Sequence, residues 1–173
     1  MSTTLPVADP DDGFAEFVRG SQTRMVHLAE LLTRDRGRAE DLAQHAYAKA
    51  YASWPRVSRG DPEAYVRRCI VNANVDWWRR RTWHERPSEV LPEAAQRGGD
   101  PAASAADRDL VLRALSRLTD RERTVIALRF YLDMSEVQVA SELGIRPGTV
   151  KSTTARALAK LRQDAELRSE TTP

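Results

Sequence analysis

The sequence predicts an all-α protein with two small helical domains, joined by a flexible linker, the C-terminal domain being a helix-turn-helix. Apolar residues recur at helical spacing from Phe14 to Trp54 and again from Val111, and no run alternates like a half-buried strand. Between them, HERPSEVLPEAAQRGGDPAASAAD has three prolines, a glycine pair and almost nothing to bury. We therefore place the domains at residues 13–83 and 106–166 and the linker at 84–105.

Bulk composition is typical of a globular protein. Of 173 residues, 41% are apolar, and the formal net charge is only +2, so any phosphate contact must come from local clusters of cations. The single cysteine, Cys69, excludes an internal disulfide and fits a reducing cytosol. No stretch is apolar enough to span a membrane, and the start, MSTTLPVADPDD, is acidic where a secretory signal is basic. We expect a cytoplasmic protein with no membrane insertion.

Local signals indicate two of the helices of the N-terminal domain. The alanine-rich run from Arg38 to Trp54 favours a helix that stops or kinks at Pro55. Asp61 followed by Pro62 is typical of an N-cap and a proline at the first helical position. A second helix is therefore predicted from here to about Arg81.

The second helix has an apolar face and a polar face. On a helical wheel the apolar face holds Val66, Cys69, Ile70, Ala73 and Trp77, and the polar face holds Tyr65, Arg68, Asn72, Asp76 and Arg79. Trp78 lies away from the apolar face. Single-stranded nucleic acid can use such a polar face, because aromatic rings stack with bases and arginines hold the backbone. The alternative is that both tryptophans belong to the core and the arginines merely form a favourable cationic helix end.

The C-terminal domain contains the clearest local signals. Ser135 and Gln138 form a capping box that opens a helix from Glu136 to Leu143, and Gly144 provides its C-terminal stop. After a short turn, Pro147 begins a second helix. Helix, tight glycine turn and helix in this order predict a helix-turn-helix.

One side of the last helix carries hydroxyls and cations. Thr149, Lys151, Ser152, Thr153 and Arg156 are assigned to the side opposite Val150, Ala157, Leu158 and Leu161. No acidic residue occurs between positions 144 and 163, so the surface attracts phosphates. The alternative is a solvated basic helix in an ordinary αα-hairpin.

Taken together, three segments resemble the extracytoplasmic-function (group 4) sigma factors of bacterial RNA polymerase, in particular those of actinobacteria. They are AEDLAQHAYAKAYASWP, DPEAYVRRCIVNANVDWWRRR and, after the linker, LTDRERTVIALRFYLDMSEVQVASELGIRPGTVKSTTARALAKLR. The resemblance runs from about Phe14 to Arg162. The order and spacing of the segments make it specific, since many regulators share the last motif alone.

The resemblance implies a promoter-specificity subunit that directs core polymerase and assists DNA opening. Its first domain would bind core polymerase and capture bases of the opened minus-10 element, and its second would read the minus-35 element as duplex. Polymerase binding is implied for Asp41, Gln44 and His45. Minus-10 contacts are implied for Arg68, Asn72, Asp76, Trp78, Arg79 and Arg80, with a flipped-base pocket at Val57 to Gly60. Minus-35 contacts are implied for Arg146, Thr149, Lys151, Ser152, Thr153 and Arg156.

Partners and cofactors follow from the same resemblance. Core RNA polymerase and promoter DNA are implied, and family members are commonly held by an anti-sigma factor. No cofactor and no metal is expected. Two positions depart from the family pattern: His45 replaces a common glutamate, and Arg146 replaces a common serine N-cap.

Two other functions are compatible with parts of the sequence. A stand-alone helix-turn-helix regulator would use the C-terminal domain but leave the polar face of the first domain unexplained. An enzyme is disfavoured, because the three histidines lack partners at metal-ligand spacing and no phosphate-binding loop motif is present. We predict no catalytic residue.

Overall fold

All regular secondary structure in the described part of the chain is helical. This computed structural model describes the backbone of residues 10–84 and 102–171 and the side chains of residues 13–80 and 108–163, with no strand in these ranges. The all-α class and the helix-turn-helix are confirmed. The helices are α1 (Pro10–Thr33), α2 (Arg36–Ala52), α3 (Trp54–Val57), α4 (Pro62–His84), α5 (Ala102–Ser116), α6 (Asp120–Ile126), a π-helical turn (Ala127–Tyr131), α7 (Glu136–Leu143) and α8 (Pro147–Thr171).

Aspartates cap the N-termini of α2 and α4 in the N-terminal half. The Asp35 side chain accepts a hydrogen bond from the Arg38 amide, and the Asp61 side chain accepts one from the Ala64 amide, each at 2.9 Å. These bonds satisfy amides that have no partner within the first helical turn. Relative to the sequence prediction, α2 begins and ends two residues earlier, and Pro55 lies in the first turn of the short α3.

Helices α1, α2 and α4 pack into the N-terminal core. Because α2 buries mainly alanines, its backbone approaches α1 closely. An aromatic cluster closes one end, where the rings of Phe17 and Trp54 stack with centroids 5.4 Å apart. The buried Tyr47 hydroxyl is satisfied by Ser21 Oγ at 2.7 Å.

Capping interactions set where the helices of the C-terminal half begin and end. The Ser135–Gln138 capping box is present with both bonds, and Gly144 ends α7 in the left-handed conformation at φ 64°. Both features confirm the sequence analysis. A second box, between Thr119 and Glu122, opens α6.

The two helical halves are docked against each other. Side chains of α1, including Met25 and Leu28, share one hydrophobic cluster with Val125 and Leu128 of the C-terminal half. Arg123 Nη1 donates to the Leu32 carbonyl at 3.2 Å. Residues 85–101 of that linker lie outside the described residues, and α5 begins at Ala102, inside the predicted linker.

Candidate nucleic-acid interface

The basic face of α8 is accessible. Lys151, Ser152 and Arg156 are exposed on its first three turns, with Arg146 exposed just before the helix and Thr149 half-buried. Ser152 Oγ donates to the Thr149 carbonyl at 3.1 Å, which orients that hydroxyl along the helix surface. Five of the six residues assigned to the minus-35 element therefore share this accessible surface.

Thr153 does not lie on that surface, so the sequence prediction that placed it on the exposed face is wrong. Its side chain is in the interior, with 1% of the residue exposed, beside Val150 and Ala157. Positions i, i+3 and i+7 lie on one side of a helix, so Thr153 belongs with the apolar residues. Its hydroxyl remains within 3.4 Å of Arg156 Nη2 and can help to orient that cation.

One cation of α8 is held by a carboxylate of α6. Lys160 Nζ lies 2.9 and 2.8 Å from the two carboxylate oxygens of Glu122. Burial raises the pKa of Glu122, but hydrogen bonds from Lys160 and Thr119 outweigh it and hold the pKa below its ordinary value. This pair fixes α8 on α6 and thereby orients the basic face.

The polar face of α4 is also accessible. Asn72, Asp76, Arg79 and Arg80 are exposed, while Val66, Ile70 and Val71 of the same helix are fully buried. Arg80 Nε donates to the Asp76 carbonyl at 3.2 Å. Arg68 is 64% exposed, although its guanidinium lies 3.9 Å from a carboxylate oxygen of Glu142.

The two adjacent tryptophans have different surroundings. Trp77 is half-buried, and the Arg38 guanidinium covers its ring at 3.6 Å from the centroid. Trp78 is half-buried too, beside a cavity of about 120 Å³ that lies between the two helical halves. Arg79, Arg121, Thr124, Leu143 and Ile145 also line this cavity. The ring of Trp78 therefore lies across this cavity from residues of the C-terminal half.

The residues assigned to polymerase binding lie along α2. Asp41, Gln44 and His45 are all exposed. Gln44 also lines a groove of about 560 Å³ between α1 and α2, whose walls include Phe14 and Val18. An exposed polar edge beside a partly apolar groove can receive a partner helix.

The segment assigned to the flipped-base pocket is only partly accessible. Val57 ends α3 with 6% of the residue exposed, so its side chain belongs to the core. Ser58, Arg59 and Gly60 are exposed, and the Gly60 amide donates to the Val57 carbonyl at 3.1 Å. A base could therefore meet only the turn after Val57.

Sequence reasoning missed the carboxylates that pair with the cations. Glu142 and Glu122 were not singled out, although T-x-x-E at Thr119 is a capping-box signal that could have identified Glu122. The partners of Glu142, namely Arg67 and Arg68, are 75 and 74 positions away, so no local pattern could have indicated them.

Other kinds of site are not supported in the described regions. No cluster of three or more metal-ligating side chains occurs in that part of the chain, and none of its helices has the length and apolar character needed to cross a bilayer. Burial raises the pKa of the half-buried Cys69 thiol, which disfavours the reactive thiolate.

Comparison with known proteins gives the same assignment for both halves. Residues 17–84 match the family model for sigma-70 region 2, and residues 108–161 match that for sigma-70 region 4. The chain is 38% identical over 156 residues to the RNA polymerase sigma-E factor of Streptomyces avermitilis, covering 90% of this chain and 86% of that protein. It is 31% identical to the extracytoplasmic-function sigma factor SigL of Mycobacterium tuberculosis, covering 76% of each chain.

Solved structures agree in fold. The sigma factor RpoE of Bartonella quintana, solved with the anti-sigma factor NepR, has a TM-score of 0.64 at 23% identity and covers 87% of this chain and 95% of its own. CnrH, solved with the cytosolic domain of CnrY, has a TM-score of 0.62 at 20% identity, covering 94% and 91%. With both regions matched in order along most of its length, the chain belongs to the sigma-70 family of RNA polymerase sigma factors, in the extracytoplasmic-function group.

Proposed function

We propose that this sigma factor divides promoter recognition between the exposed face of α8 and the polar face of α4. The observation that supports this division is that two exposed polar faces of different chemistry lie on separate helices. The α8 face is basic without any acid, whereas the α4 face combines arginines with an amide and a carboxylate. Both faces lie on helices whose opposite sides pack in the core, so the backbone positions that carry these side chains are fixed.

The α8 face suits intact duplex. The major groove of DNA admits an α-helix, and a recognition helix contacts base edges with its N-terminal residues. Thr149, Lys151 and Ser152 lie in the first two turns of α8, and Arg156 follows one turn later. We assign these residues and Arg146 to the minus-35 element, without the buried Thr153.

The α4 face suits separated strands. Arg68, Arg79 and Arg80 supply cations for the backbone, and Asn72 and Asp76 supply groups that can hydrogen-bond an exposed base edge. Extruding a base costs about a few kcal/mol, and its capture by the protein offsets that cost without nucleotide hydrolysis. We assign this face, together with Trp78, to the minus-10 element.

The exposed edge of α2 is assigned to core polymerase. Asp41, Gln44 and His45 face solvent beside the groove between α1 and α2. His45 makes this edge less acidic than the usual family pattern. In this role the chain acts in the cytoplasm as an initiation factor with no catalysis of its own.

Regulation by an anti-sigma factor belongs to the same proposal. The similar sigma factor RpoE of Bartonella quintana was solved with an anti-sigma factor, NepR. A free-standing regulator, by contrast, would have no use for the region that matches sigma-70 region 2.

Alanine variants of the two faces test the division. Lys151→Ala and Arg156→Ala should weaken binding of polymerase holoenzyme to a minus-35 duplex, by about 1 to 3 kcal/mol for a base-specific contact. Asn72→Ala and Asp76→Ala should leave that affinity unchanged and reduce strand opening in a permanganate footprint.

Matched controls come from α5, where Arg113 and Asp109 are exposed. Arg113→Ala and Asp109→Ala reproduce the charge changes away from both faces and should have wild-type activity. If the α8 and α4 variants lost both properties to the same extent, the division of tasks would be wrong. Failure of the wild-type chain to bind core polymerase would overturn the proposed function itself.

A further inference from the structure

A buried hydroxyl lies directly beneath one of the exposed cations of α8. Thr153 has 1% of the residue exposed, and its Oγ1 accepts a hydrogen bond from Arg156 Nη2 at 3.4 Å. Arg156 itself is exposed. Residues three positions apart are neighbours on a helix surface, so this bond needs no distortion of the helix. It ties an accessible guanidinium to an atom in the packed interior of region 4.

Packing of α8 fixes the position of the Thr153 hydroxyl. Val150 and Ala157, about one turn before and after Thr153, are fully buried. Further along the helix, Lys160 Nζ bonds to both carboxylate oxygens of Glu122 on α6, at 2.9 and 2.8 Å. A side chain that bonds to a hydroxyl held in this way is given a defined direction.

Arg156 and Lys160 are anchored by different kinds of group. Lys160 faces a carboxylate, which offsets its charge, whereas Arg156 bonds to a neutral hydroxyl and keeps its full charge for DNA. The bond to Thr153 uses only one N–H group of the guanidinium, so the others remain available. Restricting the side chain before binding also lowers the conformational entropy that is lost when DNA binds.

Lys151 provides a contrast on the same surface. Its side chain is exposed, and it forms no hydrogen bond or ion pair with the described part of the chain. A mobile cation suits phosphates, which present the same charge at every position of the duplex. A base edge is instead read by a side chain whose donors match its acceptors in a fixed geometry, as a guanidinium can.

From these observations we propose that Thr153 is a positioning residue, which orients Arg156 to read a base edge of the minus-35 duplex while Lys151 contacts phosphates. This inference rests on the proposed function of the α8 face. Thr153 does not touch DNA in this arrangement. Its effect on sequence preference is therefore exerted only through Arg156.

The test measures sequence preference with holoenzyme reconstituted from core polymerase and this chain. The probe is a pool of promoter duplexes randomised over the minus-35 element and sequenced before and after selection by the holoenzyme. Arg156→Ala should lose the preference at the base pair that it reads, whereas Lys151→Ala should keep every preference and bind all sequences more weakly. Thr153→Val should lose the same preference as Arg156→Ala and bind the duplex selected by wild type about three- to tenfold more weakly.

Conservative variants separate the hydroxyl of Thr153 from its methyl group. Thr153→Ser keeps the hydroxyl, so it should keep the sequence preference, although loss of a buried methyl should make it melt below Thr153→Val. A purely structural role predicts that the serine variant is the more damaged of the two in DNA selection as well. Should Thr153→Val fail to fold, Thr153→Ser and Thr153→Ala are compared instead, since they differ only in the hydroxyl.

Thr154 provides a matched control at the next position. Its hydroxyl is buried and has no hydrogen-bond partner among the described residues. Thr154→Val makes the same chemical change as Thr153→Val and should leave affinity and sequence preference unchanged. In an Arg156→Ala background, Thr153→Val should have no further effect, because the side chain that it positions is gone.

The outcomes separate this inference from the proposed function. The positioning role alone is overturned if Thr153→Val selects the wild-type sequences, or if its effect persists in the Arg156→Ala background. A uniform loss of affinity in Arg156→Ala, with every preference intact, would also overturn it while leaving the duplex contact in place. If neither Arg156→Ala nor Lys151→Ala altered duplex binding, the assignment of α8 to the minus-35 element would itself be refuted.

Discussion

Glu122 is expected to control the stability of region 4 and its response to acid. Its carboxylate closes the capping box of α6 by accepting from the Thr119 amide at 2.9 Å, and it receives two bonds from Lys160 of α8. The side chain of Glu122 is 9% exposed and that of Lys160 is 43% exposed. One residue therefore stabilises the start of α6 and the packing of α6 on α8.

The expected loss can be estimated from these contacts. Glu122→Gln keeps an oxygen for the cap but removes the charge, which removes an ion pair of about 0.5 to 1 kcal/mol. It also removes a favourable charge at a helix N-terminus, of about 0.3 to 1 kcal/mol. The free energy of unfolding should fall by about 1 to 2 kcal/mol, or about 2 to 8 °C in melting temperature. Glu122→Ala should cost about 1 kcal/mol more, because the cap is also lost.

The pH dependence has a defined sign. The pKa of Glu122 in the folded chain lies below the ordinary value of 4.5, so its stabilising contribution is fully present above pH 4.5. It is lost as the pH falls through the folded pKa. Thermal melts of wild-type and Glu122→Gln should differ at pH 7 and converge in acid.

A double-mutant cycle with Lys160→Met checks the pairing. The coupling energy should be about 0.5 to 1 kcal/mol at pH 7. The reasoning is refuted if Glu122→Gln melts like wild-type at pH 7, or if its deficit persists unchanged at pH 3. Arg113→Ala, a change on the exposed face of α5, should melt like wild-type.

Two further predictions concern local geometry. Gly144→Ala should lower the free energy of unfolding, measured with urea, by about 1 to 2 kcal/mol, because φ is 64° at this position. A steric clash would not explain the loss, since a new Cβ would meet no atom within 4 Å. Gly148 has an ordinary φ and equally open space, so Gly148→Ala should show no such loss. Cys69 should react with iodoacetamide more slowly in the native chain at pH 8 than in the urea-unfolded chain, since burial raises its pKa, and equal rates would contradict that effect.

Local signals in the sequence accounted for four helix ends, namely the start of α4, both ends of α7 and the start of α8. Asp61, Ser135, Gly144 and Pro147 act through bonds or dihedral angles within a few residues, so their roles can be inferred from short motifs. The face of Thr153 was assigned wrongly because residue type was weighed above helical phase. Three residues after the buried Val150, a threonine lies on the buried side regardless of its hydroxyl.

Contacts between the halves could not be inferred in the same way. Arg123 illustrates the difficulty. In the sequence it is one of two arginines in RERTV, with no local signal that it is buried, yet its side chain is 3% exposed. It donates to the Leu32 carbonyl, 91 positions earlier, and to the Leu118 carbonyl at 3.2 Å. Burial, with Arg34 nearby, lowers its pKa to about 10, so it stays charged at neutral pH.

The net charge of +2 is close to neutral, and several of the acidic side chains that balance the cations are paired with them inside the chain. Glu30, Glu122 and Glu142 are largely buried, and each faces a lysine or arginine from a distant part of the chain. Cations paired inside the chain attract phosphate less strongly than the exposed cations of α8. Separation of the halves would break the pairs made by Glu30 and Glu142 while leaving Glu122 with Lys160 inside region 4.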